Sequence, residues 1–191
     1  MMDRRDLVTV VSGLPRSGTS MMMKMLEAGG LPIMTDQLRV ADADNPQGYY
    51  ELERVKQLEH DKAWVAEARG KVVKVISALL VHLPAEHRYR VVFMRRTLDE
   101  VLASQRQMLV RRGEPTDAVP DDKMAVYFTN HVKKVEAWLA AQPNLETLYV
   151  SYNEMLADPA PACARVAAFV GGLDAGRMAA VVSGDLYRQR R

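Results

Sequence analysis

A single cysteine, Cys163, stands in a chain of 191 residues, which excludes a framework of internal disulfides. It lies in the apolar stretch from Ala162 to Val170. There it reads as a small buried hydrophobe rather than a nucleophile, because no histidine follows in a supporting context. Long apolar runs are missing as well. No stretch approaches the ~20 apolar residues that a membrane helix needs. Leu7 to Val11 is too short for the core of a signal peptide, and Asp3 and Asp6 interrupt the basic pair Arg4 and Arg5. The expected setting is cytoplasmic, with no membrane partner. Charge of one sign is also scarce: the formal net charge is +2. This argues against wholesale nucleic-acid binding and confines any functional positive charge to a local feature. Hydrophobic residues make up 48% and charged residues 26%, a globular composition whose length suits one domain, residues 1–191.

What is present follows an alternating order. Leu7 to Val11 is a continuous apolar, β-branched run that Ser12-Gly13 ends, as in a strand buried on both faces. From Thr19 to Ala28 the pattern becomes helical, rich in Met and Leu, and Gly29-Gly30 stops it. Residues 36 to 48 are polar and read as a long loop. A helix is expected from Glu51 to Glu67, with strands at Lys71 to Ile76, Arg90 to Met94 and Thr147 to Ser151. Helices are expected at Thr97 to Arg112, Asp121 to Ala141, Ala160 to Val170 and Gly176 to Val182. Strands separated by helices predict an α/β fold, a parallel P-loop-type sheet flanked by helices in a single domain. Ligands of such sheets bind beyond the carboxyl ends of the strands.

The loop after the first strand is Gly13-Leu14-Pro15-Arg16-Ser17-Gly18-Thr19-Ser20. Its glycines have Walker A spacing, and they permit torsions and close approaches that a side chain would obstruct. Successive backbone N–H groups, a helix N-terminus and the hydroxyls of Ser17, Thr19 and Ser20 can cradle an anion. An ordinary strand-to-helix turn would not need both glycines, the arginine and the hydroxyls together. Two features of a nucleotide triphosphatase are lacking. Thr19 stands where the Walker lysine would be, and the strand ends lead into Arg95-Arg96 and Tyr152-Asn153 rather than an acidic metal holder. Phosphoryl transfer on such loops relies on both.

Leu14-Pro15-Arg16-Ser17-Gly18-Thr19-Ser20 resembles the 5′-phosphosulfate loop of sulfotransferases, in the arginine form P-R-S-G-T seen in tyrosylprotein and many bacterial members. Val91-Val92-Phe93-Met94 leading into Arg95-Arg96, with Ser104 eight residues beyond Arg96, is similar to that family's second anchor. Tyr152 to Pro159 with Phe169-Val170-Gly171, and Asp44 to Glu51, resemble further family segments. The resemblance implies a donor, 3′-phosphoadenosine 5′-phosphosulfate, and an acceptor that it does not identify. It implies that Pro15, Arg16, Ser17, Gly18, Thr19 and Ser20 hold the 5′-phosphosulfate, that Arg96 and Ser104 hold the 3′-phosphate, and that Tyr152 touches the nucleotide. Packing is the equal alternative for Tyr152. Arg111 is a weaker candidate on the flank of Ser104. No late R-K-G element is present, and the tail of Arg188, Arg190 and Arg191 either replaces it or is solvated.

A sulfuryl group carries less negative charge than a phosphoryl group, so fixed arginine and backbone donors suit its transfer without a metal, with Arg16 as electrostatic catalyst. The acceptor's proton needs a base within hydrogen-bond reach. Glu51 is the choice, although an acidic residue at a helix start also suits the helix dipole. Asp44 and His60 are the alternatives, while His82, His87 and His131 read as solvated. A metal-dependent P-loop kinase, acting on a nucleotide or another small molecule, and a non-catalytic nucleotide-binding protein are the competing readings.

Overall fold

The computed structural model describes residues 4–36, 50–116 and 119–182. Its centre is strand β1, Val8–Gly13, every residue of which is buried. A run of β-branched side chains with no polar alternation is stable only where both faces are covered. β1 pairs in parallel with β2 (Val72–Lys74) on one side and β3 (Tyr89–Arg95) on the other. β4 (Leu145–Ser151) extends β3, again in parallel, so the order is β2-β1-β3-β4. Val11 lies opposite Lys74 and Val92, Gly13 opposite Met94, and Arg95 opposite Ser151. All four strands point the same way, so Gly13, Lys74, Arg95 and Ser151 arrive at one edge.

The two faces are covered differently. Val11, Val72, Val92, Met94 and Val150 meet α1 (Thr19–Ala28), α4 (Tyr152–Ala157), α5 (Pro159–Val170) and α6 (Ala175–Ala180). Met21, Met22, Met23 and Met25 of α1 are buried here, with Cys163, whose thiol burial pushes upward in pKa. Unbranched thioethers fill the uneven space between a twisted sheet and several helices. Val8, Val10, Val73, Tyr89, Val91 and Phe93 face the other way, toward Trp64, Leu80 and the second half of α3 (Asp121–Ala141). A third cluster joins Leu14 to Val101 and Leu102 of α2 (Leu98–Arg112) and Phe128 of α3.

One expectation is corrected. Residues 51–67 do not form a continuous α-helix but two 3₁₀ stretches, Glu53–Gln57 and Ala63–Ala68. Asp61 breaks the run: its carboxylate accepts from Ala63 N at 3.1 Å and from Arg54 Nε at 3.1 Å, while its carbonyl accepts from Trp64 Nε1 at 3.1 Å. A side chain that offers the backbone a local partner competes with the helical ladder. This turn drives Trp64 fully into the core. Among the described residues no helix is long and apolar enough to cross a membrane.

Candidate functional site

The loop from β1 to α1 is shaped by close approaches. A Cβ on Gly13 would lie 2.5 Å from Ser17 Oγ and 2.6 Å from the Met94 carbonyl oxygen, and one on Gly18 would lie 2.3 Å from the Tyr152 ring. Both glycines also have positive φ, 146° and 97°. No other residue type fits either place. Ser17 is buried, and its hydroxyl donates to the Leu14 carbonyl at 2.7 Å. It therefore braces the loop from within. Gly18 precedes α1 with no side-chain cap, so the N–H groups of the first turn face the loop's concavity beside the hydroxyls of Thr19 and Ser20.

Arg16 adopts a left-handed backbone, φ 69°, a conformation that costs a non-glycine residue ~1–3 kcal/mol and persists where its surroundings impose it. Arg96 supplies that restraint by donating from Nη1 to the Arg16 carbonyl at 3.1 Å. The Arg16 side chain in turn donates from Nε to Ser104 Oγ at 3.0 Å. Arg96 Nε pairs with Glu100 Oε2 at 2.8 Å, and both side chains are more than 90% buried. Asn153 Nδ2 donates to the other Glu100 oxygen at 3.0 Å, and the Arg96 guanidinium lies 4.5 Å from the centre of the Tyr152 ring. Ionic hydrogen bonds at both carboxylate oxygens offset the cost of burying this pair.

Arg16, Arg96, Ser104 and Tyr152 thus stand together, although Arg16 and the Arg96–Ser104 pair were expected as two separate anion sites. Tyr152 fills the space over Gly18 and supports Arg96. Sequence reasoning missed Glu100 and Asn153. The spacing of Arg96 and Glu100, four apart at a helix start, was the available signal. It also missed Lys74, a lone cation inside the apolar run Val72 to Val75. The Lys74 side chain is 9% exposed at the end of β2, with Nζ 3.4 Å from Ser20 Oγ and 3.7 Å from Glu51 Oε1. The Glu51 carbonyl accepts from Thr35 Oγ1 at 2.7 Å, tying its backbone to the chain that leaves α1. Tyr50 donates to Glu27 of α1 at 3.1 Å, and burial together with the Glu27 charge pushes its pKa up to about 12.

The remaining candidates fall elsewhere. His60 is exposed beside Glu59, and Arg111 is exposed in the last turn of α2. Asp44 and the tail carrying Arg188, Arg190 and Arg191 lie outside the described residues. His131 is not solvated as expected: its Nε2 lies 2.8 Å from the buried Ser77 hydroxyl, and burial holds its pKa below the ordinary value.

A family model described as a sulfotransferase domain matches residues 6–183. No curated protein sequence matches the chain. Among solved structures, the chain is similar to the sulfotransferase domain of the Synechococcus PCC 7002 olefin synthase. The TM-score is 0.55 and the identity 13%, over 96% of this chain and 80% of that one. It is also similar to the sulfotransferase domain from the curacin biosynthetic pathway. There the TM-score is 0.50 and the identity 14%, over 88% of this chain and 75% of that one.

Proposed function

Since the chain belongs to the sulfotransferase family, we propose that it transfers a sulfuryl group from 3′-phosphoadenosine 5′-phosphosulfate to a hydroxyl or amine acceptor. The observation that carries this reading is the bond between Arg16 and Ser104 beside the buried Arg96. It brings the strand-to-helix loop and the Arg96–Ser104 pair into one site, as a single nucleotide carrying a 5′-phosphosulfate and a 3′-phosphate would require. The first-turn N–H groups of α1 with Thr19 and Ser20 hold the 5′ end, shaped by Pro15, Ser17 and Gly18. Arg96 spends Nε on Glu100 and Nη1 on Arg16. Nη2 is left for the 3′-phosphate, which Ser104 also binds.

Arg16 from the loop and Lys74 from β2 place two cations about the end of β1, where charge develops in the transfer. Their partners are already set, so little reorganisation accompanies the reaction. The acceptor oxygen or nitrogen bonds to sulfur as the bond from sulfur to the 5′-phosphate oxygen breaks. Adenosine 3′,5′-bisphosphate is the leaving group, and Glu51, beside Lys74, takes the acceptor's proton.

Calorimetry with nucleotides tests the donor assignment. Adenosine 3′,5′-bisphosphate is expected to bind more tightly than 5′-AMP, with EDTA leaving the affinity unchanged. Equal affinity for the two nucleotides would remove Arg96 and Ser104 from the donor site.

A further inference from the structure

Parallel pairing brings Asn153 to the start of α2. Arg95 of β3 lies opposite Ser151 of β4, so two residues further on Thr97 and Asn153 leave the sheet side by side. Asn153 is half-buried in the first turn of α4. Its Oδ1 accepts from the Thr97 N–H at 3.4 Å, and its Nδ2 donates to Glu100 Oε1 at 3.0 Å. These partners fix which end of the amide is which, because only the oxygen accepts and only the nitrogen donates.

Thr97-Leu98-Asp99-Glu100 has the pattern of a capping box, in which the glutamate of the first turn reaches back to the N–H of the capping residue. Here the box is not closed. The Thr97 side chain makes no cap, and Asn153 takes the Thr97 N–H that Glu100 would otherwise hold. Glu100 is thereby released to Arg96, whose Nε donates to Oε2 at 2.8 Å. A carboxylate held at one oxygen still turns about its last side-chain bond; the Asn153 amide at the other oxygen removes that freedom. Arg96 and Glu100 are 7% and 8% exposed, so water is a poor substitute for either bond. Arg96 Nη1 is committed to the Arg16 carbonyl and its guanidinium lies over the Tyr152 ring. With Glu100 fixed, the remaining nitrogen, Nη2, has a fixed direction. Asn153 achieves this without charge. A carboxylate in its place would set like charge against Glu100 and turn the enclosed pair net negative, opposing an incoming phosphate.

We propose that Asn153 is a positioning residue for recognition of the 3′-phosphate: it fixes Glu100, Glu100 fixes Arg96, and the chain thereby prefers a nucleotide that bears this phosphate to one that lacks it. The inference rests on the sulfuryl-transfer reading, in which Arg96 and Ser104 receive the 3′-phosphate.

The test is calorimetry on the full chain with adenosine 3′,5′-bisphosphate and 5′-AMP, for wild type, Asn153→Ala and Asn153→Asp. Asn153→Ala is expected to weaken the bisphosphate by about tenfold, the lower end for a lost hydrogen bond to a charged group. Asn153→Asp keeps an acceptor for Thr97 but replaces the amide donor by a second carboxylate, and is expected to weaken it by about a hundredfold near pH 8. All three proteins are expected to bind 5′-AMP equally, which shows the anion loop and the fold intact. Two carboxylates that share a site hold one proton more readily than either does alone, and the protonated group donates again. The Asn153→Asp deficit, taken relative to wild type at each pH, is therefore expected to shrink between about pH 8 and about pH 5.5, while the Asn153→Ala deficit stays constant. The other ionisable side chains on this chain of bonds, Arg96, Arg16 and Tyr152, are of types that ordinarily titrate well above that range. Loss of packing would produce neither the nucleotide selectivity nor this pH profile. A wild-type preference for the bisphosphate that both variants retain, or equal weakening of both nucleotides by the variants, overturns this inference alone. Equal binding of the two nucleotides by wild type overturns the donor reading and this inference with it.

Discussion

On the side of the carboxyl edge proposed to bind the donor, the Arg96–Glu100 pair is enclosed and held by more than one partner. Arg96 touches Glu100, Arg16 and Tyr152, and Glu100 also receives Asn153. On the side proposed to admit the acceptor, Glu51 is part-exposed beside Lys74. The difference reflects two tasks. Stabilising charge in a reacting group depends on dipoles fixed in advance and shielded from water. Accepting a molecule that must enter and leave requires open surface on chain segments that can vary.

The sharpest way to break the contrast is to unpair the enclosed side. Glu100→Ala leaves the Arg96 guanidinium buried without its carboxylate, and should cost about 3–5 kcal/mol of stability, read by urea unfolding. A loss near that of an exposed ion pair, below about 1 kcal/mol, would show that the donor side is not the rigid half. Arg16→Ala should reduce turnover by ~100-fold or more, as for one preorganised electrostatic donor. Affinity for adenosine 3′,5′-bisphosphate should fall less than turnover does. Undiminished turnover would leave Arg16 a positioning residue only.

On the open side, Glu51→Gln should slow transfer at saturating donor by about tenfold to a hundredfold, at or below the low end for a positioned base. Nucleotide affinity should stay nearly unchanged. A normal rate would remove Glu51 from the mechanism. The smallest effect concerns His131, whose folded pKa is lowered by burial and Lys134. The unfolded chain then takes up a proton first, near the ordinary value of about 6.5. Stability should be full above that pH and decline slightly as pH falls through the window below it. Urea unfolding at several pH values checks this, since His131→Gln should flatten that decline.

The strand, the anion loop and its following helix were legible residue by residue. Apolar continuity in Val8 to Val11 marks a doubly covered strand, and the spacing of Gly13 and Gly18 marks a turn too tight for side chains. Asp121–Ala141 has the bounds its apolar pattern predicts. The segment from Glu51 to Glu67 misled because its helical composition says nothing of Asp61 capturing Ala63 and Arg54. His131 misled because one half-buried position on a long helix does not disturb the pattern of the exposed ones.

By itself, the sequence determined the spacings that act over a few residues: a parallel α/β order, a strand-to-helix loop and an arginine set between its two glycines. Only the tertiary structure decided which side chains meet across the edge. Arg16 finds Ser104 from 88 residues away, and Lys74 finds Ser20, as Ser77 finds His131, from 54 away. Local sequence carries no record of such meetings. They follow from parallel strands delivering distant segments to one edge, where burial favours a polar group that takes the partner arriving there.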